Sequence, residues 1–163
     1  MRQYLNGEFL SSFSASDRGR IAQVTNINSD NPWDITDNRR LNRDPIEVNT
    51  QDRIFLLSIE EVAKYFGDSG ELDYGSYTRS GSMNIGWAVY DRYNDAREAL
   101  CIDSCISDAF HFDSNLGRYS HWWLRSPHDT PLVYVDSDGG VMFGASLDHS
   151  FGVRPALWLD LES

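Results

Sequence analysis

Cysteine is scarce in this chain, whose 163 residues include two, Cys101 and Cys105. Two cysteines are too few for the disulfide framework of a small secreted fold, and a chain of this length buries enough surface to fold without one. Their spacing would place both thiols on one face of a helix, but two ligands do not form a zinc site. We therefore expect ordinary thiols, with no structural metal and no cofactor.

Positive charge and long apolar runs are also lacking. The chain has 14 basic and 25 acidic residues, a formal net charge of −11. Nucleic acids and anionic lipids attract positive surfaces, so neither is expected as a partner. No run of about 18 apolar residues occurs, which excludes a membrane-spanning helix.

The beginning of the sequence, M-R-Q-Y-L-N, lacks the apolar core of a signal peptide. Two interpretations stay open: a cytosolic chain, or a secreted or cell-surface chain from which a leader has been removed. The localisation is therefore unknown from the sequence.

Apolar side chains, in contrast, are plentiful. Hydrophobic residues make up 40% of the chain and aromatic residues 13%, which is enough to support an ordered core and excludes a disordered chain. The length fits one domain over residues 1–163. No nucleophile elbow, glycine-rich phosphate loop or H-E-x-x-H zinc motif occurs, so no common enzyme class is indicated.

The first half of the chain predicts short helices followed by a buried strand. Apolar residues at helical spacing predict a helix over residues 2–13, and Ser14 or Ser16 can cap a second helix near residues 17–23. The apolar run Arg53–Leu57 predicts a buried strand.

A capping box predicts the next helix. Ser58 is followed three residues later by Glu61, an arrangement in which each side chain bonds the backbone N–H of the other residue. The helix is predicted over Ile59–Phe66, with its apolar positions on one stripe, and Gly67 is expected to end it.

Two long polar segments, Thr25–Asp52 and Asp68–Gly86, are predicted as loops, the first with a brief strand at its start. Loops on a rigid scaffold commonly carry recognition, so these segments are the expected contact surface. The candidate ligand-surface residues are aromatic side chains in or next to them, namely Trp33, Tyr74, Tyr77 and Trp87.

Residues 87–100 predict a further helix, and the remainder of the chain predicts sheet. Two apolar runs joined through Asp138-Gly139 predict a β-hairpin, because Gly139 can take a positive φ. Helices first and antiparallel strands last, without a βαβ alternation, indicate an α+β fold. The predicted strands are His121–Ser126, Leu132–Val135, Val141–Phe143 and Val153–Leu159.

Five stretches of the chain resemble a bacterial family known by a W-W-L-R-S-P-G signature, itself a domain of unknown function. In the C-terminal third these are Trp122–Pro127 (W-W-L-R-S-P), Tyr134–Gly139 (Y-V-D-S-D-G) and Gly152–Trp158 (G-V-R-P-A-L-W). Residues 2–10 and 52–58 match the same family near its beginning. The resemblance therefore spans most of the chain.

That family is similar to the formylglycine-generating-enzyme (sulfatase-modifying-factor) and C-type-lectin-like fold. The resemblance implies short helices packed on a small twisted antiparallel sheet. It also implies a single domain, residues 1–163, that lacks the N-terminal strands usual in the family. The strand edge ending at Leu159 would then be open, and an open edge is a template for self-association into a homo-oligomer.

The chemistry of those relatives is not carried over. Formylglycine-generating enzymes use a cysteine pair between the strands that correspond to Trp122 and Arg154, and no cysteine lies there. The calcium-binding triplets of C-type lectins are also missing. Asp136 and Asp138 form a fragment of a calcium loop without its completing ligands, so a hairpin turn is favoured and no specific calcium site is expected.

Two arginines and three tryptophans stand out in the predicted strands. Arg125 and Arg154 lie in apolar surroundings, where a guanidinium is expected to be paired with carboxylates or loop carbonyls that pin neighbouring strands. An anion-binding role is the less favoured alternative. The tryptophans are expected mainly in the core, with one of them presented to a ligand; they are Trp122, Trp123 and Trp158.

The favoured hypothesis is a non-catalytic binding or interaction module whose ligand is an unidentified protein or glycan. The alternative is an enzyme of unknown reaction on the same fold, for which the sequence indicates no catalytic residue. A pocket that groups titratable side chains would favour the enzyme, whereas a flat aromatic and polar surface would favour binding.

Overall fold

The computed structural model describes residues 1–28 and several later segments, with the backbone alone at 88, 89, 132 and 143–145. Within it, short helices accompany small antiparallel sheets, so the predicted α+β class is confirmed at that level. The described residues are 1–28, 49–67, 69, 88–100, 119–125, 132–145 and 151–162.

The chain begins with helix α1, Arg2–Tyr4, which continues directly into a π-helical turn, Leu5–Phe9. Helix α2, Ala15–Arg20, follows, and the Ser14 hydroxyl caps it by accepting the Asp17 N–H at 3.1 Å. Both predicted helices are therefore present, although α2 ends three residues before the predicted position.

Helix α3, Ile59–Phe66, has the predicted bounds because its signals are local. The Ser58 hydroxyl accepts the Glu61 N–H at 3.2 Å, and the Glu61 carboxylate accepts the Ser58 N–H at 2.9 Å. Gly67 ends the helix with a φ of 101°, a conformation that favours glycine. The helix buries Ile59 and Val62 in the core.

In the described part of the chain, eight strands form three antiparallel sheets. Strand β1 pairs with β2, β3 pairs with β8, and a four-stranded sheet has the order β4-β7-β6-β5. The strands are β1 Val24–Asn26, β2 Thr50–Asp52, β3 Ile54–Phe55, β4 Ala88–Val89, β5 Trp122–Trp123, β6 Leu132–Val135, β7 Val141–Ala145 and β8 Ala156–Leu157.

The predicted hairpin is confirmed, since β6 and β7 pair around a turn at residues 136–140 in which Gly139 has a φ of 79°. The other predicted strands are present but shorter. β3 covers part of Arg53–Leu57, and β8 covers part of Val153–Leu159. Strand β2 was not predicted, because its sequence T-Q-D has no apolar pattern.

The predicted helix over residues 87–100 is wrong. Near the start of this segment, strand β4 pairs with β7. Near the end of the segment lies a four-residue helix, α4, Asn94–Arg97. Between them the Asp91 carboxylate accepts the Tyr93 N–H at 2.9 Å, which holds the chain in a turn. Pairing with β7 therefore overrides local helix propensity.

The strand edge at Leu159, which was expected to be open, has hydrogen-bond partners within the chain. The Ala22 N–H donates to the Trp158 carbonyl at 2.9 Å, and the Asp160 N–H donates to the Arg20 carbonyl at 2.8 Å. The chain's own residues 20–22 thus lie against this segment, so the edge gives no argument for self-association there.

The core lies between α3, β3 and the inner face of the four-stranded sheet. Val133, Val135 and Val141 are fully buried on that face, while Tyr134 between the first two points to the opposite face. The core cluster consists of Phe55, Leu57, Ile59, Val62, Trp122, Leu124, Val133, Val135 and Val141. Among the described residues, no helix is long and apolar enough to cross a membrane.

Candidate functional site

Arg125 is two residues beyond β5, and all of its guanidinium donors bind groups of the protein. Both terminal nitrogens contact the Glu61 carboxylate, Nη2 to Oε1 at 3.2 Å. Nε donates to Asn28 Oδ1 at 3.2 Å, Nη1 to the Leu56 carbonyl at 3.0 Å, and Nη2 to the Ile27 carbonyl at 3.4 Å. Since a guanidinium has five N–H donors, Arg125 has none left for an anionic ligand.

A cavity of about 220 Å³ lies beside Arg125. It is smaller than the roughly 300 Å³ at which ligand pockets usually begin. Its charged groups are already paired, because Arg2 Nε donates to Asp52 Oδ1 at 2.6 Å. The cavity is lined by Met1, Arg2, Leu5, Asn28, Thr50, Asp52, Ile54, Phe55, Leu56 and Arg125.

Among the described residues, the hydrogen-bond acceptors of Arg154 are carbonyl oxygens. Its Nη1 donates to the Arg97 carbonyl at 3.0 Å and to the Glu98 carbonyl at 3.4 Å. Its guanidinium also stacks over Phe66, 4.6 Å from the ring centroid, and over Trp122 at 5.0 Å. Burial lowers the pKa of Arg154 below its usual value. These contacts join the residues before β8 to the end of α4 and to the core.

Arg97 is a buried arginine that sequence reasoning missed. Its side chain is fully buried and forms a 2.9 Å ion pair with Asp91, and Nη2 donates to the Gly67 carbonyl at 3.0 Å. Burial by itself would raise the pKa of Asp91, but hydrogen bonds from Arg97, from the Tyr93 N–H and from Ser69 lower it. In a continuous helix, positions 91 and 97 would not share a face, so the predicted helix concealed this pair.

Four aromatic side chains form a cluster on the outer face of the four-stranded sheet, the face opposite the core. Trp123 pairs in register with Tyr134. The centroid of the Phe151 ring lies 4.5 Å from that of Trp123 and 4.6 Å from that of Tyr134. The ring centroids of His121 and Phe151 are 4.9 Å apart. All four are half-buried. We call His121, Trp123, Tyr134 and Phe151 the outer aromatic cluster.

The three predicted tryptophans therefore differ in environment. Trp122 is 1% exposed, and its Nε1 donates to the Arg97 carbonyl at 3.1 Å. Trp123 belongs to the outer aromatic cluster. Trp158 is 47% exposed and stands edge to face with Tyr65 at 6.0 Å.

The hairpin turn contains a buried carboxyl group. Asp136 is 9% exposed; its Oδ2 accepts the Tyr90 hydroxyl at 2.7 Å and its Oδ1 accepts the Gly140 N–H at 2.8 Å. Burial, and then a hydrogen bond with Asp138, raise the pKa of Asp136 from 3.8 to about 7. The D-S-D-G segment thus forms a hydrogen-bonded turn.

Within the described ranges, no three His, Cys, Asp or Glu side chains are grouped so that they could hold a metal ion. Other predicted positions lie outside the described residues: Trp33, Tyr74, Tyr77, Trp87, Cys101 and Cys105.

The described residues thus form a small α+β domain with an aromatic outer face. Residues 1–161 match a protein family described as Domain of unknown function (DUF6273), and the chain belongs to this family. No curated protein and no solved structure matches the chain. The expectation of a domain family of unknown function is confirmed, while the likeness to formylglycine-generating enzymes and C-type lectins stays a prediction.

Proposed function

We propose that the domain is a non-catalytic binding module and that the outer aromatic cluster forms part of its ligand surface. The main observation in support is that four half-buried aromatic rings pack together on the sheet face opposite the core, namely those of Trp123, Tyr134, Phe151 and His121. Aromatic side chains that keep part of their surface in water are common in binding sites, because they offer a large rigid area with polar edges.

The sheet would hold this cluster in place before a ligand binds. Trp123 and Tyr134 alternate with Trp122, Val133 and Val135, which are almost fully buried on the inner face. The Trp123 N–H donates to the Gly152 carbonyl at 3.2 Å, which holds the neighbouring Phe151 segment beside β5. Such pre-organisation reduces the entropy lost on binding.

The ligand that this surface suits is a glycan or a protein segment with an apolar face. Ring faces pack against apolar groups, while the Trp, Tyr and His polar atoms form hydrogen bonds. The net charge of −11 disfavours anionic ligands. The two polar segments predicted from the sequence as contact surface, Thr25–Asp52 and Asp68–Gly86 with the aromatic candidates Trp33, Tyr74, Tyr77 and Trp87, stay part of this proposal.

We also propose that the scaffold is lectin-like in the sense of the resemblance. The Trp122–Gly152 bridge supports this, because it brings the W-W-L-R stretch beside the G-V-R stretch. The W-W-L-R stretch also pairs with the Y-V-D-S-D-G hairpin, where Trp122 is opposite Val135.

A glycan and peptide array, run with and without calcium, tests the binding function. We expect the purified wild-type protein to bind one ligand class without calcium. Trp123→Ala should weaken this binding at least about tenfold, since a central aromatic anchor commonly contributes about 2 kcal/mol or more. Trp158→Ala removes an exposed tryptophan outside the cluster and serves as the matched control.

Two results would contradict the proposal. One is the absence of binding by a folded wild-type protein to every array member. The other is equal binding by Trp123→Ala and wild type, with both proteins shown by their melting curves to be folded.

An enzyme of unknown reaction is the second candidate. The observation that favours it is the grouping of two carboxyl groups and a phenol at the hairpin turn, since pairs of acids with unlike environments can divide acid and base roles. The small exposure of Asp136 argues against it, because a substrate would have to reach a carboxyl that is 9% exposed.

A further inference from the structure

We propose that Asp136 keeps a proton in the hairpin turn between β6 and β7, beside the Asp138 carboxyl, and that losing this proton loosens the turn and adds a negative charge to the outer face. The inference concerns the turn itself and stands whether or not the outer aromatic cluster binds a ligand.

Asp136 makes most of the hydrogen bonds that close the turn. Its N–H donates to the Gly140 carbonyl at 2.9 Å, and its carbonyl accepts the Gly139 N–H at 3.2 Å. Its carboxyl oxygens accept the Gly140 N–H at 2.8 Å and the Tyr90 hydroxyl at 2.7 Å. A change in the ionisation of this side chain therefore acts on the whole turn.

The surroundings of the turn leave it little room to adjust. The Tyr90 ring lies on Gly140, where an added Cβ would come within 2.5 Å of the ring. Gly139 lies against the Asn94 carbonyl of α4, which an added Cβ would approach to 1.9 Å. From β7 the Met142 sulfur lies 3.7 Å from the Tyr90 hydroxyl. Water is thus largely excluded from the Asp136 carboxyl.

The titratable groups that face Asp136 are acids. The Asp138 carboxyl in the turn is next to it, because Asp138 Oδ1 accepts at 3.4 Å the same Gly140 N–H that Asp136 Oδ1 accepts at 2.8 Å. The others are the Tyr90 hydroxyl after β4 and the Tyr134 hydroxyl of β6. In the segments the structure describes, no Arg or Lys forms an ion pair with Asp136. Two neighbouring carboxyl groups without a cation do not both ionise easily, so a proton on the buried Asp136 is favoured.

The raised pKa values of Asp136 and Tyr134 agree with this grouping of acids in the turn. Burial, followed by the hydrogen bond with Asp138, raises the pKa of Asp136 from 3.8 to about 7. Burial and then the charge of Asp136 raise the pKa of Tyr134, which belongs to the outer aromatic cluster. The charge on the turn therefore acts on the outer face.

The sign of the stability change follows from these shifts. Between about pH 4 and about pH 7 the folded chain holds a proton on Asp136 that the unfolded chain has lost. This contribution to stability is therefore present at low pH and is lost as the pH rises through the raised pKa. Asp91, whose pKa is lowered, contributes in the opposite sense.

The test combines thermal melting with carboxyl ¹³C NMR titration of the wild-type protein from about pH 3 to about pH 9. We expect the Asp136 carboxyl to titrate at least about two pH units above a free aspartate. Asp136→Asn keeps a neutral acceptor for the Gly140 N–H. Between about pH 5 and about pH 8, the melting temperature of wild type should fall by about 5 °C more than that of this variant. Asp95→Asn, an exposed position in α4, is the control and should follow wild type.

Asp138→Asn separates the effect of the neighbouring carboxyl group on Asp136 from the effect of burial. Because Asp138 raises the pKa of Asp136 both by hydrogen bonding and by charge, this variant should lower the Asp136 midpoint by about one unit. The ring signals of Tyr134 in wild type should change with the same midpoint as Asp136. An Asp136 midpoint below about pH 5, an unchanged midpoint in Asp138→Asn, or Tyr134 signals that ignore this transition would each overturn the proposal.

Discussion

At the scale of single residues, arginine side chains join parts of the chain that are far apart in sequence. Arg125 joins the end of β5 to α3, β3 and the segment after β1. Arg97 joins α4 to Asp91 and to the residue that ends α3. A planar guanidinium suits this role, because its donors point in fixed directions toward several acceptors at once.

Arg125→Ala should lower the free energy of unfolding by about 2–4 kcal/mol, because it leaves the Glu61 carboxylate and two carbonyls without their donor. Arg125→Lys should recover only part of this loss, since an ammonium cannot bind both carboxylate oxygens in the same way. Urea unfolding monitored by circular dichroism measures both variants.

Arg92→Ala is the matched control for Arg125, because Arg92 is exposed and, within the described residues, its guanidinium donates only to the hydroxyl of its neighbour Tyr93. Its effect should stay within about 0.5 kcal/mol. An unfolding midpoint for Arg125→Ala equal to that of Arg92→Ala would show that the Arg125 network adds no stability.

At the scale of elements, the short helices and the hairpin depend on side chains that satisfy backbone groups. The Ser58–Glu61 capping box begins α3, and the same Glu61 carboxylate also binds Arg125. One side chain therefore connects the start of a helix to the end of a strand. In the hairpin turn, the positive φ of Gly139 fulfils the same kind of local requirement.

Gly139→Ala should destabilise the protein by about 1–3 kcal/mol, because alanine is strained at a φ of 79° and its Cβ would overlap the Asn94 carbonyl. Gly19→Ala is the matched control in α2, where no atom lies within 4 Å of the added Cβ. There the same substitution should stabilise the protein by about 0.5–1 kcal/mol, because alanine favours the helix. Thermal unfolding of both variants compares the two positions, and equal shifts in melting temperature would contradict this expectation.

At the scale of the whole molecule, the residues near the C-terminal end of the described chain connect elements from its beginning and middle. β8 pairs with β3, the next residues bond with residues 20–22, and Gly152 bridges to β5. Arg154 lies within this stretch and stacks on the core through Trp122 and Phe66. These connections make the described elements interdependent.

Arg154→Ala should therefore lower the free energy of unfolding by about 2 kcal/mol, from two hydrogen-bonded carbonyls and two ring contacts. The transition should stay a single one, because the residue joins several elements rather than one. Arg154→Lys tests the stacking, since lysine keeps the charge but not the planar group. A melting temperature unchanged in Arg154→Ala would indicate a side chain with no structural role.

The features that could be predicted from the sequence are those whose cause lies within a few residues. The capping box of α3 and the Asp-Gly hairpin turn are specified by side chains that bond their own neighbouring backbone. Ser14 as the cap of α2 belongs to the same group. Once β6 is recognised as a strand, its neighbouring side chains are expected on opposite sides of the sheet.

What only the tertiary structure decided is which distant segments meet. Residues 88 and 89 form a strand because β7 is available to pair with them, although their local sequence favours a helix. The Arg97–Asp91 ion pair follows from that same turn. The outer aromatic cluster depends on the bridge that brings Phe151 beside β5. Such contacts form when burial and pairing across the fold outweigh local propensity. A local sequence pattern does not identify the distant segment with which it will pair.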